Sequence, residues 1–156
     1  MMTDIQIKGL EGLQTLLDEL PARIEKNMVR GGLRAGAKVV EAEAKQLCPV
    51  GKTGALKESI HVSMRTRQGR ISATISAGGG KAWYAGMVEH GTARHWIKPK
   101  DRKSLFLAGL ERKVVLHPGA KKQPFMRPAI DGKASEAIET FSAHLRNRLA
   151  KIEAGK

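Results

Sequence analysis

Hydrophobic positions recur along this chain with two periods, and the switch between them marks its elements. Ile5 and Ile7 alternate within residues 4–8 and predict a short strand. Leu10, Leu13, Leu16, Leu17 and Leu20 then fall at helical spacing, so residues 1–20 read as an N-terminal strand and short helix. Pro21 interrupts that pattern and suits the first turn of a second helix. This helix runs to about Leu47 on a stripe of Ile24, Met28, Leu33, Ala37, Val40 and Ala44. Cys48 to Gly54 is a Pro/Gly loop. Leu56 to Met64 reads as a strand, with Ile60, Val62 and Met64 alternating. Ile71 to Ala77 reads as its hairpin partner across the turn Arg67-Gln68-Gly69-Arg70. After the flexible stretch Gly78 to Lys81, Ala82 to His90 is a short helix or an irregular segment. Residues 91–103 are a polar, basic loop. Ser104 to Ala108 and Arg112 to Leu116 predict a second hairpin, followed by a Pro-rich stretch. Ala134, Ile138, Phe141, Leu145 and Leu149 predict a C-terminal helix over 128–152.

Helices, then strands, then a helix imply an α+β fold. The expectation is an antiparallel sheet of two hairpins packed by a long N-terminal helix and a C-terminal helix. Neither an internal repeat nor a long linker divides the chain, so 1–156 reads as a single domain. The second helix is rich in small residues, Gly32, Ala35 and Gly36 among them. Each interior glycine costs a helix about 1 kcal/mol relative to Ala, and close approach of another backbone is the usual compensation. A sheet or a neighbouring subunit is the expected contact, and a kinked helix is the alternative.

Composition narrows the function more than the fold. Aromatics are 4% of the chain, too few for a large aromatic-lined ligand pocket. No apolar run approaches the roughly 18 residues of a membrane span. The first residues lack a basic segment followed by an apolar one, so no secretory signal is expected, and synthesis in the cytoplasm follows. Cys48 is the single cysteine, which excludes an intrachain disulfide. The formal charge of +13 favours an anionic partner. That charge is concentrated: residues 94–122 hold nine Lys and Arg against Asp101 and Glu111, whereas residues 1–60 are nearly neutral.

Candidate chemistry fails on spacing or context. His90, His95 and His117 with Cys48 form no tight metal-ligand pair. Gly51-Lys52-Thr53 resembles the end of a phosphate loop, but Gln46 stands where the leading glycine belongs, and the segment joins a helix to a strand in the wrong order. Glu89 and His90 are adjacent in sequence, which points their side chains apart, and no Ser or Cys has a nucleophile's context. No enzyme, cofactor or small-molecule substrate is expected. Trp83, Tyr84 and Trp96 near the basic loop could stack on bases, yet no nucleic-acid-binding signature is present. A basic, non-enzymatic nucleic-acid-binding module is the alternative reading.

Three motifs carry a resemblance. Pro49-Val50-Gly51-Lys52-Thr53-Gly54-Ala55-Leu56, followed by Ser59-Ile60, is the first. Tyr84-Ala85-Gly86-Met87-Val88-Glu89-His90-Gly91-Thr92 is the second, and Gln123-Pro124-Phe125-Met126-Arg127-Pro128-Ala129 is the third. In this order they resemble the tail-completion family of long-tailed bacteriophages and prophages, the head–tail joining, neck or minor tail proteins. The resemblance implies a virion protein without catalytic residues at the head–tail junction. It also implies a self-assembled ring, with a hexamer as the expected form, and neighbouring neck and tail proteins as partners. The structural positions it implies are Pro49, Thr53, Gly54, Leu56, Tyr84, Glu89, Gly91, Thr92, Pro124, Phe125, Pro128 and Ala129. The basic loop, with Arg94, Lys98, Lys100, Arg102 and Lys103, is more strongly charged than the family pattern requires. It is the expected docking or DNA-facing surface, with nonspecific contact to phage DNA. Gly32, Ala35 and Gly36 are the expected subunit-packing surface.

Overall fold

The computed structural model describes residues 22–100, 104–107 and 109–154. The strand and helix expected over residues 1–20, and Arg102 and Lys103 of the basic loop, lie outside the described residues. The chain is α+β, in the order α1 (Ala22–Leu47), α2 (Ala55–Ser59), β1 (His61–Arg67), β2 (Arg70–Ser76), a 3-10 turn (Gly80–Ala82), α3 (Ala85–His90), β3 (His95–Ile97), β4 (Leu105–Leu107), β5 (Leu110–Arg112), β6 (Val115–His117) and α4 (Met126–Ala154). The strands form three two-stranded antiparallel ribbons, β1 with β2, β3 with β6 and β4 with β5. The chain gathers into two units.

The first unit takes in α1 up to Val40, residues 62–75 and α4 from Lys133. Here α1 buries every fourth residue, Met28, Gly32, Gly36 and Val40. Two positions of that stripe are glycines because α4 lies too close for a side chain. A Cβ at Gly36 would stand 2.5 Å from the carbonyl oxygen of Ala137, and one at Gly32 would stand 2.8 Å from the Phe141 ring. Met28, Leu145 and Leu149 form the buried core, with Phe141 and Ile152 packed against it. The β1–β2 ribbon turns through Gln68 and Gly69, both with positive φ, the twist that a two-residue hairpin loop favours. An apolar recess of about 350 Å³ lies between Leu33 and Ala37 of α1, Ala73 of β2, and Ile138 and Phe141 of α4.

The second unit comprises residues 41–61 and 76–132. The strand expected from Leu56 begins only at His61, and α2 precedes it. Leu56 and Ile60, four residues apart, are both buried, so helical geometry serves them where alternation would not. Ser59 fixes the end of α2: its hydroxyl donates to the carbonyl of Leu56 (2.7 Å) and accepts the N–H of Gly78 (2.9 Å). Residues 82–90, expected as a short helix or irregular, form the end of the 3-10 turn and then α3.

The stretch from 91 to 120 departs most from expectation. The expected loop contains β3, and the expected second hairpin is displaced: β4 pairs with β5, while β6 pairs with β3. A bridge between Thr92 and Ala120 stands below these pairs. The described pairings nest in sequence, Thr92 with Ala120 outermost, then β3 with β6, then β4 with β5, so the two short ribbons follow one another along one antiparallel excursion of the chain. Its two sides are unequal. β3 ends at Ile97 and β4 begins at Leu105, whereas β5 ends at Arg112 and β6 begins at Val115, which offsets the outer pairs from the inner ones.

Candidate functional site

The three motifs meet in the second unit, and Glu89 joins two of them. Helix α4 opens with Phe125 as its first flanking residue, since the Ala129 N–H donates to the Phe125 carbonyl. A helix start leaves its first N–H groups without partners inside the helix. Pro124-Phe125 supplies no Ser, Thr, Asp or Asn to cap them, and Pro128 removes one donor from the first turn. The remaining three donate to a single carboxylate. The N–H groups of Phe125 (2.7 Å) and Met126 (3.0 Å) donate to Glu89 Oε2, and that of Arg127 (3.1 Å) donates to Oε1.

Partial burial pushes the Glu89 carboxyl up, but the backbone donors of Met126, Phe125 and Arg127, with the charge of His90, outweigh it. The carboxyl is held below its ordinary value. Both its oxygens accept backbone hydrogen bonds, so Glu89 caps the start of α4. The last turn of α3 is tied in as well, because the N–H of Gln123 donates to the Val88 carbonyl at 2.8 Å. Phe125 and Ala129 follow the lock into the core and are buried.

Gly91 and Thr92 form the base of the ribbon. Thr92 and Ala120 exchange backbone hydrogen bonds of 3.0 and 3.2 Å, and the Thr92 hydroxyl accepts the Ala120 N–H at 2.8 Å. Gly119, with φ of 90°, allows this approach: a Cβ there would stand 2.1 Å from the Thr92 carbonyl oxygen. Gly91, with φ of 73°, is equally confined by the backbone of Ala120 and Lys122. The first motif lies on the other side of α3 in sequence but in the same unit. Gly54 turns into α2 with a positive φ, Thr53 Oγ1 accepts the Ala55 N–H at 3.5 Å, and α2 packs on the 3-10 turn that precedes Tyr84. Pro49 is half-buried, while Pro124 and Pro128 are exposed. Beside Glu89 an open groove of about 880 Å³ is lined by Ala85, Pro124, Phe125 and Met126, with His90, Lys122, Arg127 and Asp131 among its polar residues.

Arg94, Lys98 and Lys100 are exposed on the ribbon, together with Arg112 and Lys113. His95 and His117 face each other across it with ring centroids 5.1 Å apart. His117 Nδ1 accepts the Gly119 N–H, and His95 Nδ1 donates to the Ala93 carbonyl. Among the described residues no three His, Cys, Asp or Glu side chains gather to hold a metal ion. Burial pushes the Cys48 thiol up, partly offset by the charge of Lys57. No described helix is long and apolar enough to cross a membrane. Gly32 and Gly36, expected at a subunit contact, are occupied by the chain's own α4, and Ala35 is half-buried between them. Sequence reasoning missed the capping role of Glu89, the ribbon base at Gly119 and the clasp at Ser59.

Residues 11–91 match the family described as "Bacteriophage HK97-gp10, putative tail-component". The match covers the first two motifs up to Gly91. No curated protein and no solved structure matches the chain.

Proposed function

This chain belongs to the HK97-gp10 family of bacteriophage tail components, and from that premise we propose that it is a non-enzymatic structural subunit completing the tail at the head–tail interface. The observation that carries the reading is the lock itself. Glu89, from the matched region, holds the start of α4 in the third motif through three backbone hydrogen bonds. That the charged group at the centre of the motifs is engaged in capping a helix supports a structural reading. The subunit acts as a ring, with a hexamer as the working copy number, and joins neighbouring neck and tail proteins in the virion. Thr53, Gly54, Tyr84, Gly91 and Thr92 serve as scaffold positions in this reading. Ring contacts fall outside Gly32 and Gly36, which α4 already covers.

Deleting the gene from its phage and restoring it on a plasmid tests the reading. Without the protein, electron microscopy of lysates is expected to show heads and tails that are not joined. Native mass spectrometry of the protein with its neck partners is expected to show a ring. A chain that stays monomeric with those partners at high concentration would count against the ring. One absent from purified particles would remove the virion role. The exposed cations of the ribbon favour a second reading, a nucleic-acid-binding module. Tight, sequence-dependent DNA binding at physiological salt would select it.

A further inference from the structure

We infer that the β3–β6 and β4–β5 ribbons are a docking arm for an acidic protein surface with apolar recesses, a neighbour in the virion. The inference rests on the proposed virion role and names the partner class that the ribbons fit. Two-stranded ribbons are marginal in water by themselves, and these leave much of their apolar surface uncovered. Trp96 is 63% exposed, Phe106 76% and Leu110 56%. Phe106 pairs with Glu111 and Leu110 with Leu107, so strand alternation puts Phe106 and Leu110 on opposite faces of β4–β5 and apolar side chains are exposed on both sides. Trp, Phe and Arg, all exposed on these ribbons, are among the residue types enriched at protein interfaces.

Charge selects among the possible occupants. Arg94, Lys98, Lys100, Arg112 and Lys113 are exposed on the ribbon, against Glu111 as its one described acid. Both ion pairs found among the described residues lie on α1 and α4, so neither neutralises the ribbon. A second copy of this chain is a poor complement, because it too carries 28 Lys and Arg against 15 Asp and Glu. Duplex DNA would satisfy the cations through its phosphates, but its backbone offers no recess for Trp96, Phe106 and Leu110. An acidic protein surface with apolar recesses meets both demands, and electrostatic complementarity would set the register of docking.

The test places the photo-reactive residue benzoylphenylalanine at Phe106, and separately at Trp96, in the full chain supplied to a phage lacking the gene. Purified particles are irradiated, and the cross-linked peptides are identified by mass spectrometry. Both positions are expected to link to the same virion protein, within a surface where Asp and Glu outnumber Lys and Arg. The combined variant Lys98→Glu, Lys100→Glu, Arg112→Glu and Lys113→Glu, checked for folding by circular dichroism, should lower that yield at least tenfold. Phe106→Ser, a single exposed change, should impair joining without altering the circular dichroism spectrum. Cross-links to DNA or to this chain itself would overturn the inference while leaving the virion role intact. So would no cross-link in particles that contain the chain, or a yield indifferent to charge reversal. Absence of the chain from the particles would overturn the virion role, and the docking arm with it.

Discussion

At the scale of single residues, Glu89 ties two segments together with three hydrogen bonds, and its role follows from an accounting of donors. The first turn of α4 has three free N–H groups and no local cap, and one carboxylate takes all three. Glu89→Gln keeps the size of the group but replaces one oxygen with an NH₂ that faces donors. A cost of about 1–2 kcal/mol at pH 7 is expected, measured by urea denaturation. The sign with pH follows from the depressed carboxyl. The stabilisation is present above the ordinary glutamate value of 4.5 and is lost as pH falls through the lower folded value. The gap between wild type and variant should therefore close in acid; a gap that stayed constant down to strongly acidic pH would show that the carboxylate is not the cap. Cys48 makes the opposite case of a side chain without a task. Its thiol is buried and pushed up, so alkylation by iodoacetamide at mildly basic pH should be slow in the native protein and fast in urea. Equal rates would contradict its burial. Neither role was legible from local pattern. A cap supplied from 36 residues away leaves no trace near the helix it caps, although the lack of any capping residue before Met126 was a sign that one was needed.

At the scale of elements, the long helices were the legible part, since Met28, Val40 and Ala44, and Leu145 and Leu149, are both periodic and buried. The small-residue stretch of α1 was also legible as a close approach, but sequence could not say to what. The answer is α4, and it predicts opposite outcomes for two glycine-to-alanine changes. At Gly36 a methyl would meet the Ala137 carbonyl oxygen at 2.5 Å, a backbone atom that cannot step aside. Gly36→Ala should cost about 1–3 kcal/mol through overpacking. Gly132, inside α4, has open space around it, and Gly132→Ala should gain about 0.5–1 kcal/mol of helix propensity. Thermal unfolding of both variants checks the pair, and a stabilised Gly36→Ala would mean that α1 and α4 leave room for a methyl between them. The short elements were not legible. Leu56 and Ile60 adjoin an alternating run with Val62 and Met64, which reads as one strand, yet α2 claims them first. Three-residue strands such as β3 and β6, which pair His95 with His117, are too short to show a period at all.

At the scale of the whole molecule, charge separates a protein-docking role from a DNA-binding one. Any chain with a formal charge of +13 will bind duplex DNA at low salt by releasing counterions, so binding alone decides nothing. What distinguishes the two roles is how infectivity and DNA affinity respond to the same change. Lys100→Glu, Arg102→Glu and Lys103→Glu together reverse three charges within the basic segment, where Lys100 is exposed. The triple variant is expected to fold with an unchanged melting temperature and to lose head–tail joining, read as phage titre and as unjoined heads and tails in micrographs. Its residual DNA affinity should be weaker and should fall less steeply with salt, by roughly 0.9 in the logarithmic slope for each phosphate that is no longer neutralised. If docking to an acidic neighbour is the function, raising the salt during assembly should mimic the variant in the wild type, since rim charges govern the encounter. Normal titre from the triple variant would remove the basic segment from the joining surface, whatever its affinity for DNA.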